Sequence, residues 1–242
     1  MNHRKIGVWL IGALGSISTT VILGALLLRK GLIPPTGMVT SGDLFSGTEL
    51  APVEGMAFGG CDIRSGSLAE ATARMSAESG CIDSALVSQV HDELAAIDPE
   101  IHPGITLNCG QAIESLSQGT CLFSSSLREN IAQVVDRLHS FQRDLKLDNL
   151  VVVNVASTEP QLDAQPYHHD LSRFEACLDG NADEAVRAST IYAYAAIEAG
   201  YPYINFTPSS GALFPALVQM AEKNRVPVMG NDGKTGETLV KS

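Results

Sequence analysis

The sequence lacks the cysteine patterns of a disulfide-rich or zinc-binding protein. Its five cysteines, an odd number, stand singly at positions 61, 81, 109, 121 and 177, and no CxxC pair occurs. We therefore expect free thiols in a reducing compartment, and the sequence predicts a cytoplasmic protein.

Basic charge is also scarce. The chain has 16 lysines and arginines against 27 aspartates and glutamates, a formal net charge of -11. Binding to nucleic acid needs clustered basic side chains, and so does adsorption to anionic membranes. We therefore expect neither nucleic acid nor a membrane as a partner.

The run His168-His169-Asp170 carries residues of metal-binding types. Adjacent side chains rarely point at one ion, and no second cluster accompanies this run. We interpret it as a solvated turn and predict no metal site.

One long hydrophobic run is present, from Ile6 to Leu28, without a charge over 23 residues. Its length permits a membrane-spanning helix, because about 20 apolar residues cross a bilayer. A cleaved signal peptide fits less well, since its apolar region is about 7–15 residues long.

The interior of this run indicates a different structure. Residues 5–12 form a short apolar stretch suited to a buried strand, and a polar block with Gly12 and Gly15 follows. Ser18 and Thr19 can then open a helix that Arg29-Lys30 and Gly31 close. A strand, a tight turn and a helix form the first unit of a dinucleotide-binding fold.

Helical periodicity and apolar strands alternate over the rest of the chain. We predict helices over residues 67–75, 84–97, 124–147, 182–199 and 214–223, and strands near residues 149–155, 201–206 and 226–230. This alternation is typical of an α/β fold. The sequence predicts a Rossmann-like, doubly wound, mostly parallel sheet with flanking helices.

Four stretches carry residues suited to chemistry. The turn Gly12-Ala13-Leu14-Gly15 has glycine spacing G-x-x-G, and the helix N-terminus after it can hold a phosphate through free amides. FGGCDI places Asp62 after two glycines, where it suits either ribose hydroxyls or an ordinary turn. Residues 156–159 follow a β-branched strand, where ligands bind in open parallel sheets.

The fourth stretch, GNDGKTGETLVKS, begins at the end of the last strand. Lys234 there can polarise a carbonyl or stabilise a developing enolate, and the alternative is a solvated lysine. A Walker loop, G-x-x-x-x-G-K-[ST], is excluded, because the residue five before Gly233 is Val228 rather than glycine.

The blocks VWLIGALGSISTT, FGGCDI, VVNVASTEP, YAYAAIEAGYPYINFTPS and GNDGKTGETLVKS occur in this order over nearly the whole chain. Together they closely resemble the myo-inositol-1-phosphate synthase family, most nearly its divergent prokaryotic branch. The resemblance implies an NAD-dependent, redox-neutral cyclisation of glucose 6-phosphate in a homo-oligomer. In it, NAD takes a hydride from C5, C6 is enolised and attacks the C1 aldehyde, and the hydride is returned.

The resemblance also implies roles for individual residues. The cofactor would be held by Gly12, Gly15, Ser16, Ile17, Ser18, Thr19, Thr20, Asp62, Ile63, Ser157 and Thr158. The nicotinamide and substrate would be bordered by Asn205, Thr207 and Ser209. The catalytic residues would be Asp232, Lys234 and Lys241.

The chain departs from the family pattern in places. Leu14 and Ser18 replace two glycines of the family loop, and Leu239 stands where many members have a second lysine. The motif KTGETL opens the family's catalytic and oligomerisation region, and the sequence ends at Ser242. We therefore expect an NAD-binding domain over residues 1–230 and the beginning of the catalytic region over residues 231–242. The chain would be either a fragment of a longer protein or a homologue that cannot complete the cyclisation alone.

Three other interpretations remain open at this point. The chain could oxidise a sugar phosphate with NAD without cyclising it, or it could be a non-catalytic NAD-binding module. A protein anchored in a membrane by residues 6–28 is the third.

Overall fold

A sheet of six parallel strands organises the part of the chain that the computed structural model describes, residues 4–80, 82–117, 121–122 and 124–233. The spatial order is β3-β2-β1-β4-β5-β6, which reverses direction between β1 and β4. This is the strand order of the doubly wound dinucleotide-binding fold, so the predicted fold class is confirmed. The strands are β1 (Ile6–Ile11), β2 (Met56–Asp62), β3 (Ile101–Pro103), β4 (Asn149–Asn154), β5 (Tyr203–Asn205) and β6 (Val228–Met229).

Helices cover both faces of the sheet. Successive side chains of a strand point to opposite faces, and β1 follows this rule: Trp9 and Ile11 enter one hydrophobic cluster, whereas Leu10 enters the other. The described α-helices are α1 (Ser16–Arg29), α2 (Leu68–Ser79), α3 (Ser84–Ser88), α4 (His91–Ile97), α5 (Gln111–Glu114), α6 (Leu127–Asp144), α7 (Leu171–Asp179), α8 (Ala188–Glu198) and α9 (Pro215–Asn224).

The hydrophobic run from Ile6 to Leu28 is divided between β1 and α1. The chain turns at Gly12, whose φ of 88° lies in the left-handed region that favours glycine. A single membrane-spanning helix over residues 6–28 is therefore wrong. Among the described residues, no helix is both long enough and apolar enough to cross a bilayer.

Two predicted helices are confirmed with their caps. The Ser67 hydroxyl accepts a hydrogen bond from the N–H of Glu70, and the Glu70 carboxylate accepts one from the N–H of Ser67, which is a capping box at the start of α2. Ser126 caps α6 by accepting from the N–H of Glu129. Of the six residues of the predicted apolar stripe of α6, Leu127, Ile131, Val134, Leu138 and Phe141 are buried and Val135 is partly buried.

The single helix predicted over residues 84–97 is wrong. Two short helices, α3 and α4, occupy this range, and Val90 between them has φ of -124° and ψ of 18°. The break allows both Val90 and Leu94 to lie fully buried in the cluster beneath α1 and α2. Tertiary packing determines this break in the helix, and the local apolar periodicity does not predict it.

The helix predicted over residues 182–199 begins later, at Ala188. Residues before it form a 3-10 turn, Asp183–Ala185, followed by extended backbone at Val186. The Asn108 side chain stabilises this entry by donating to the carbonyls of Asp183 (2.7 Å) and Val186 (3.2 Å). The carbonyl groups of residues 183 and 186 thus accept hydrogen bonds from a side chain distant in sequence, rather than from a continuing α-helix.

The pair His168-His169 is only partly the solvated turn that we expected. It lies in a 3-10 turn, and His169 is exposed, but His168 is 1% exposed. One ring nitrogen of His168 hydrogen-bonds the carbonyl of Ala185 (2.8 Å), and the other accepts from the N–H of Gln165 (3.0 Å). His168 therefore fastens two loops together.

Candidate functional site

A cleft of about 310 Å³ opens at the carboxyl ends of β1, β2 and β4. This is the point at which the strand order reverses, where ligands bind in doubly wound sheets. Its volume lies at the lower end of the range for small-molecule sites. The polar and glycine residues that line it include Gly12, Gly15, Ser16, Asp62, Arg64, Ser157, Glu159 and Tyr192.

A side chain at either glycine of the turn between β1 and α1 would be crowded by the backbone around it. A Cβ on Gly12 would stand 3.0 Å from the Cα of Ala156, and one on Gly15 would stand 3.1 Å from the carbonyl oxygen of Gly12. The N–H groups of Gly12 and Ala13 both donate to the carbonyl of Cys61. The turn is thus held against β2 and β4, with its backbone facing the cleft.

The N-terminus of α1 faces the same cleft. The helix begins at Ser16, with Gly15 as a cap that has no side chain to satisfy the first N–H groups. Such a terminus carries partial positive charge and free donors, which suit a phosphate. The prediction that Ser18 and Thr19 open the helix is wrong by two residues.

Unlike Ser16, the hydroxyl residues Ser18, Thr19 and Thr20 of α1 do not line the cleft, and they hydrogen-bond the neighbouring backbone. Ser18 Oγ donates to the carbonyl of Gly12 (2.7 Å), and Thr19 Oγ1 donates to that of Gly15 (3.0 Å). Both side chains are fully buried. Thr20 Oγ1 donates to the carbonyl of Ser16 (2.7 Å). Ser18 and Thr19 therefore stabilise the glycine turn, and Thr20 stabilises the first turn of α1.

Asp62, the last residue of β2, is 5% exposed and joins this turn to the adjoining loop. Its Oδ2 accepts from the N–H of Leu14 (2.8 Å), and its Oδ1 accepts from the N–H of Arg64 (2.9 Å). The Arg64 Nε lies 3.8 Å from the same Oδ1. The buried carboxylate is thus compensated by two backbone donors and one cation.

Glu159 separates the cleft from a second cavity, of about 470 Å³, and lines both. Its carboxylate accepts from the N–H of Ser189 (2.8 Å) and from the Ser189 hydroxyl. Burial raises the pKa of Glu159, and the bonds from Ser189 and the charge of Arg187 oppose that shift. The N–H of Glu159 donates to Ser209 Oγ (3.0 Å), which links the β4 loop to the β5 loop.

The inner wall of the cleft carries two cysteines and a tyrosine. Burial raises the pKa of Cys61 to about 12 and that of Cys109 to about 11. Thiols with such pKa values are protonated at neutral pH and are poor nucleophiles. The Tyr192 hydroxyl accepts from the N–H of Ile105 (2.6 Å), which fixes the loop after β3. We therefore assign to this wall a structural role: its side chains define the shape of the cleft.

The residues that the resemblance assigned to the substrate form a buried network. Asn205 Oδ1 accepts from the N–H (3.0 Å) and hydroxyl (2.7 Å) of Thr207, and Asn205 Nδ2 donates to the carbonyl of Ser209 (2.7 Å). Asn154 Nδ2 adds a contact of 3.3 Å to Asn205 Oδ1. These groups largely satisfy one another, and Ser209 lines the second cavity together with Thr158.

The structure brings most of the predicted cofactor residues together. Those that line the cleft are Gly12, Gly15, Ser16, Ile17, Asp62, Ile63 and Ser157. Asp232 is exposed beyond β6, where the N–H of Gly233 donates to the carbonyl of Phe206 (3.3 Å). Lys234 and Lys241 lie outside the described residues.

Our sequence predictions of site residues did not include Arg64 or Tyr192. Arg64 stands two residues after Asp62, so its proximity to a motif was the available signal. Tyr192 lies within α8 and reaches the cleft only through tertiary packing. In the described ranges, no three histidine, cysteine, aspartate or glutamate side chains are grouped to hold a metal ion.

Comparison with known proteins identifies inositol-3-phosphate synthases among the relatives of this chain. A family model, the NAD-binding model described as myo-inositol-1-phosphate synthase, matches residues 6–239. The inositol-3-phosphate synthase 1 of Bacteroides thetaiotaomicron is 29% identical over 98% of this chain and 56% of its own. That of Oryza sativa is 28% identical over 98% of this chain and 50% of its own. The chain thus spans about half the length of these curated relatives.

Solved structures show the same fold. An inositol-3-phosphate synthase from Caenorhabditis elegans has a TM-score of 0.82 at 22% identity, covering 100% of this chain and 51% of that one. A myo-inositol-1-phosphate synthase-related protein from Thermotoga maritima has a TM-score of 0.73 at 24% identity, covering 98% and 57%. At these identities the likeness concerns the fold.

Proposed function

The chain belongs to the myo-inositol-1-phosphate synthase family, and we propose from this that it carries the NAD-binding part of an enzyme that cyclises glucose 6-phosphate to a myo-inositol phosphate. The observation that carries the proposal is the cleft beside the glycine turn. Its position at the strand-order reversal, and its lining by an uncapped helix N-terminus, suit a dinucleotide.

The residues present fit NAD. A Cβ at Gly12 would crowd Ala156 and one at Gly15 would crowd the Gly12 carbonyl, so the two glycines permit the close-packed turn that lies beside the cleft. We assign the pyrophosphate to this turn and to the N–H groups at Ser16 and Ile17. Asp62 and Ile63 would flank the adenosine ribose, with Ser157 on the opposite wall.

When bound, NAD accepts a hydride from the substrate and returns it, so the overall reaction is redox-neutral. The chain's own residues bind and orient the reactants. Glu159 has its carboxylate between the two cavities, and we assign the second cavity, with Thr158 and Ser209, to the sugar phosphate. Asn205 and Thr207 would hold the wall of that cavity through their mutual hydrogen bonds.

The catalytic roles belong to residues at the C-terminal end of the chain. A lysine at position 234 would stabilise negative charge on substrate oxygens during enolisation, and Asp232 would orient it. Lys241 would be a second lysine of the site. A homo-oligomeric assembly and a cytoplasmic location complete the proposal.

Two alternatives give distinct results in one assay. The purified chain is incubated with NAD and glucose 6-phosphate, and inositol phosphate and NADH are both measured. A cyclase forms inositol phosphate without accumulating NADH, whereas a sugar-phosphate dehydrogenase accumulates NADH as substrate is consumed. NAD binding with neither product would support a non-catalytic module. Gly12→Val serves as the control, because it obstructs the turn.

A further inference from the structure

Arg64 is the one cation among the described residues that line the cleft. Two carboxylates, those of Asp62 and Glu159, line the same space, and the whole chain has a formal charge of -11. A dinucleotide adds two negative charges at its pyrophosphate. The pyrophosphate would be repelled by the two carboxylates of the cleft, so its binding requires a compensating cation nearby.

The guanidinium of Arg64 is held beside the glycine turn. The N–H of Arg64 donates to Asp62 Oδ1 (2.9 Å), and Nε stands 3.8 Å from the same oxygen, beyond hydrogen-bonding distance. Nη2 lies 4.0 Å from the point that a Cβ on Gly15 would occupy. The side chain therefore lies across the turn to which the pyrophosphate is assigned.

The Nε of Arg64 is buried and has no hydrogen-bond partner among the described residues. The side chain as a whole is about one-third exposed, at 34%. Leaving a buried charged donor unpaired is costly, and an acceptor supplied by a ligand removes that cost. Asp62 compensates the charge of Arg64 only partly, because its own oxygens already accept from Leu14 and Arg64 backbone donors.

We propose that Arg64 binds the pyrophosphate of the dinucleotide, together with the N-terminus of α1. An arginine presents several donors in a planar fork that matches phosphate oxygens, and it stays charged at any physiological pH. This inference rests on the proposed NAD site, and it assigns to Arg64 a role distinct from that of Asp62. The same chemistry would suit a 2′-phosphate, so the test separates NAD from NADP.

Titration calorimetry with the purified chain provides the test, using NAD, ADP-ribose, adenosine and NADP as ligands. Arg64→Gln should lower the affinities for NAD, ADP-ribose and NADP by a common factor of roughly ten to one hundred. Adenosine has no phosphate, so its affinity should stay unchanged. Arg64→Lys should lie between the wild type and Arg64→Gln. Arg143→Gln, which removes the same charge from the exposed end of α6, is the matched control and should change none of these affinities.

The possible results distinguish a failure of this inference from a failure of the proposed function. An unchanged NAD affinity in Arg64→Gln would overturn the inference while leaving the proposed function standing. A loss confined to NADP would overturn the pyrophosphate assignment in favour of a 2′-phosphate. An equal loss for adenosine would show that Arg64 only shapes the cleft. If the wild-type chain itself binds no NAD, the proposed function fails and this inference fails with it.

Discussion

The Asp62 carboxylate accepts a 2.8 Å hydrogen bond from the main-chain N–H of Leu14, a residue 48 positions earlier in the chain. The bond joins the end of β2 to the glycine turn after β1. A ribose-binding aspartate is the role that the family resemblance implies for Asp62. The structure adds that the same carboxylate holds the turn in the shape that leaves the cleft open.

Asp62→Ala should therefore destabilise the fold as well as weaken NAD binding. The substitution leaves the buried N–H of Leu14 without its partner, which costs about 1–3 kcal/mol. Urea denaturation measures the change in the free energy of unfolding. Asp144→Ala is the control, because Asp144 pairs with Arg143 on the surface and its loss should stay within about 0.5 kcal/mol. Equal effects of the two substitutions would contradict the structural role of Asp62.

Gly15→Val should abolish measurable NAD binding while preserving the fold. The φ of Gly15 is -75°, so the backbone tolerates a side chain, but the added Cβ would crowd the carbonyl of Gly12 at 3.1 Å. The bulk of valine would stand beside the N-terminus of α1, to which we assign the pyrophosphate. NAD affinity is measured by calorimetry and the fold by circular dichroism. An unchanged affinity would refute the assignment of the turn to the pyrophosphate.

Gly24 in the middle of α1 offers the matched control. A Cβ there meets nothing within 4 Å. Gly24→Ala should leave NAD affinity unchanged and should stabilise the protein by about 0.5–1 kcal/mol, because alanine loses less conformational entropy than glycine in a helix. Thermal unfolding of the two variants, measured together, separates steric obstruction of the cleft from a general effect of losing a glycine.

The sequence was sufficient to predict the elements with strong periodicity. β1, α1 and α6 lie where their apolar patterns indicate, because each presents a continuous apolar face to the core. β3 was not predicted, since it has only three residues and includes Pro103. The break at Val90 was also not predicted, because it depends on packing beneath α1 and α2 rather than on local sequence.

For the site, the sequence located the glycine turn and Asp62 but not the contacts between them. Backbone hydrogen bonds over 48 positions, such as that from Leu14, have no local signature. Packing of the loops after β2 and β4 against each other determines the orientation of Arg64. It also places Glu159 between the two cavities. Periodicity and spacing describe single segments of the chain, so they do not predict contacts between distant loops.

Lys234→Ala should lower turnover by at least about 10²-fold while sparing NAD affinity, because a lysine that stabilises developing charge acts on the reaction rather than on cofactor binding. Lys234 lies outside the described residues, so the family resemblance carries this prediction. The assay follows inositol phosphate formation, and Lys223→Ala near the end of α9 is the control. A near-normal rate in Lys234→Ala would remove the assigned role.

The buried carboxyl of Glu159 predicts a pH-dependent stability. Burial raises its pKa above the ordinary value of 4.5, so the folded state holds the proton more tightly than the unfolded state. Its contribution to stability is therefore fully present below about pH 4.5 and is lost as the pH rises through the folded-state pKa. Glu159→Gln cannot ionise and retains an acceptor for the N–H of Ser189.

The melting temperature of Glu159→Gln minus that of the wild type should consequently increase as the pH rises from 4 towards 8. Other carboxyl groups contribute equally to both proteins, so the difference isolates Glu159. Ser189→Ala removes the hydroxyl that stabilises the ionised form, so it should raise the pKa further and shift the loss of stability to higher pH. A difference that is independent of pH would mean that the carboxyl titrates alike in the folded and unfolded states. Glu159 would then be more solvated than its place between the two cavities implies.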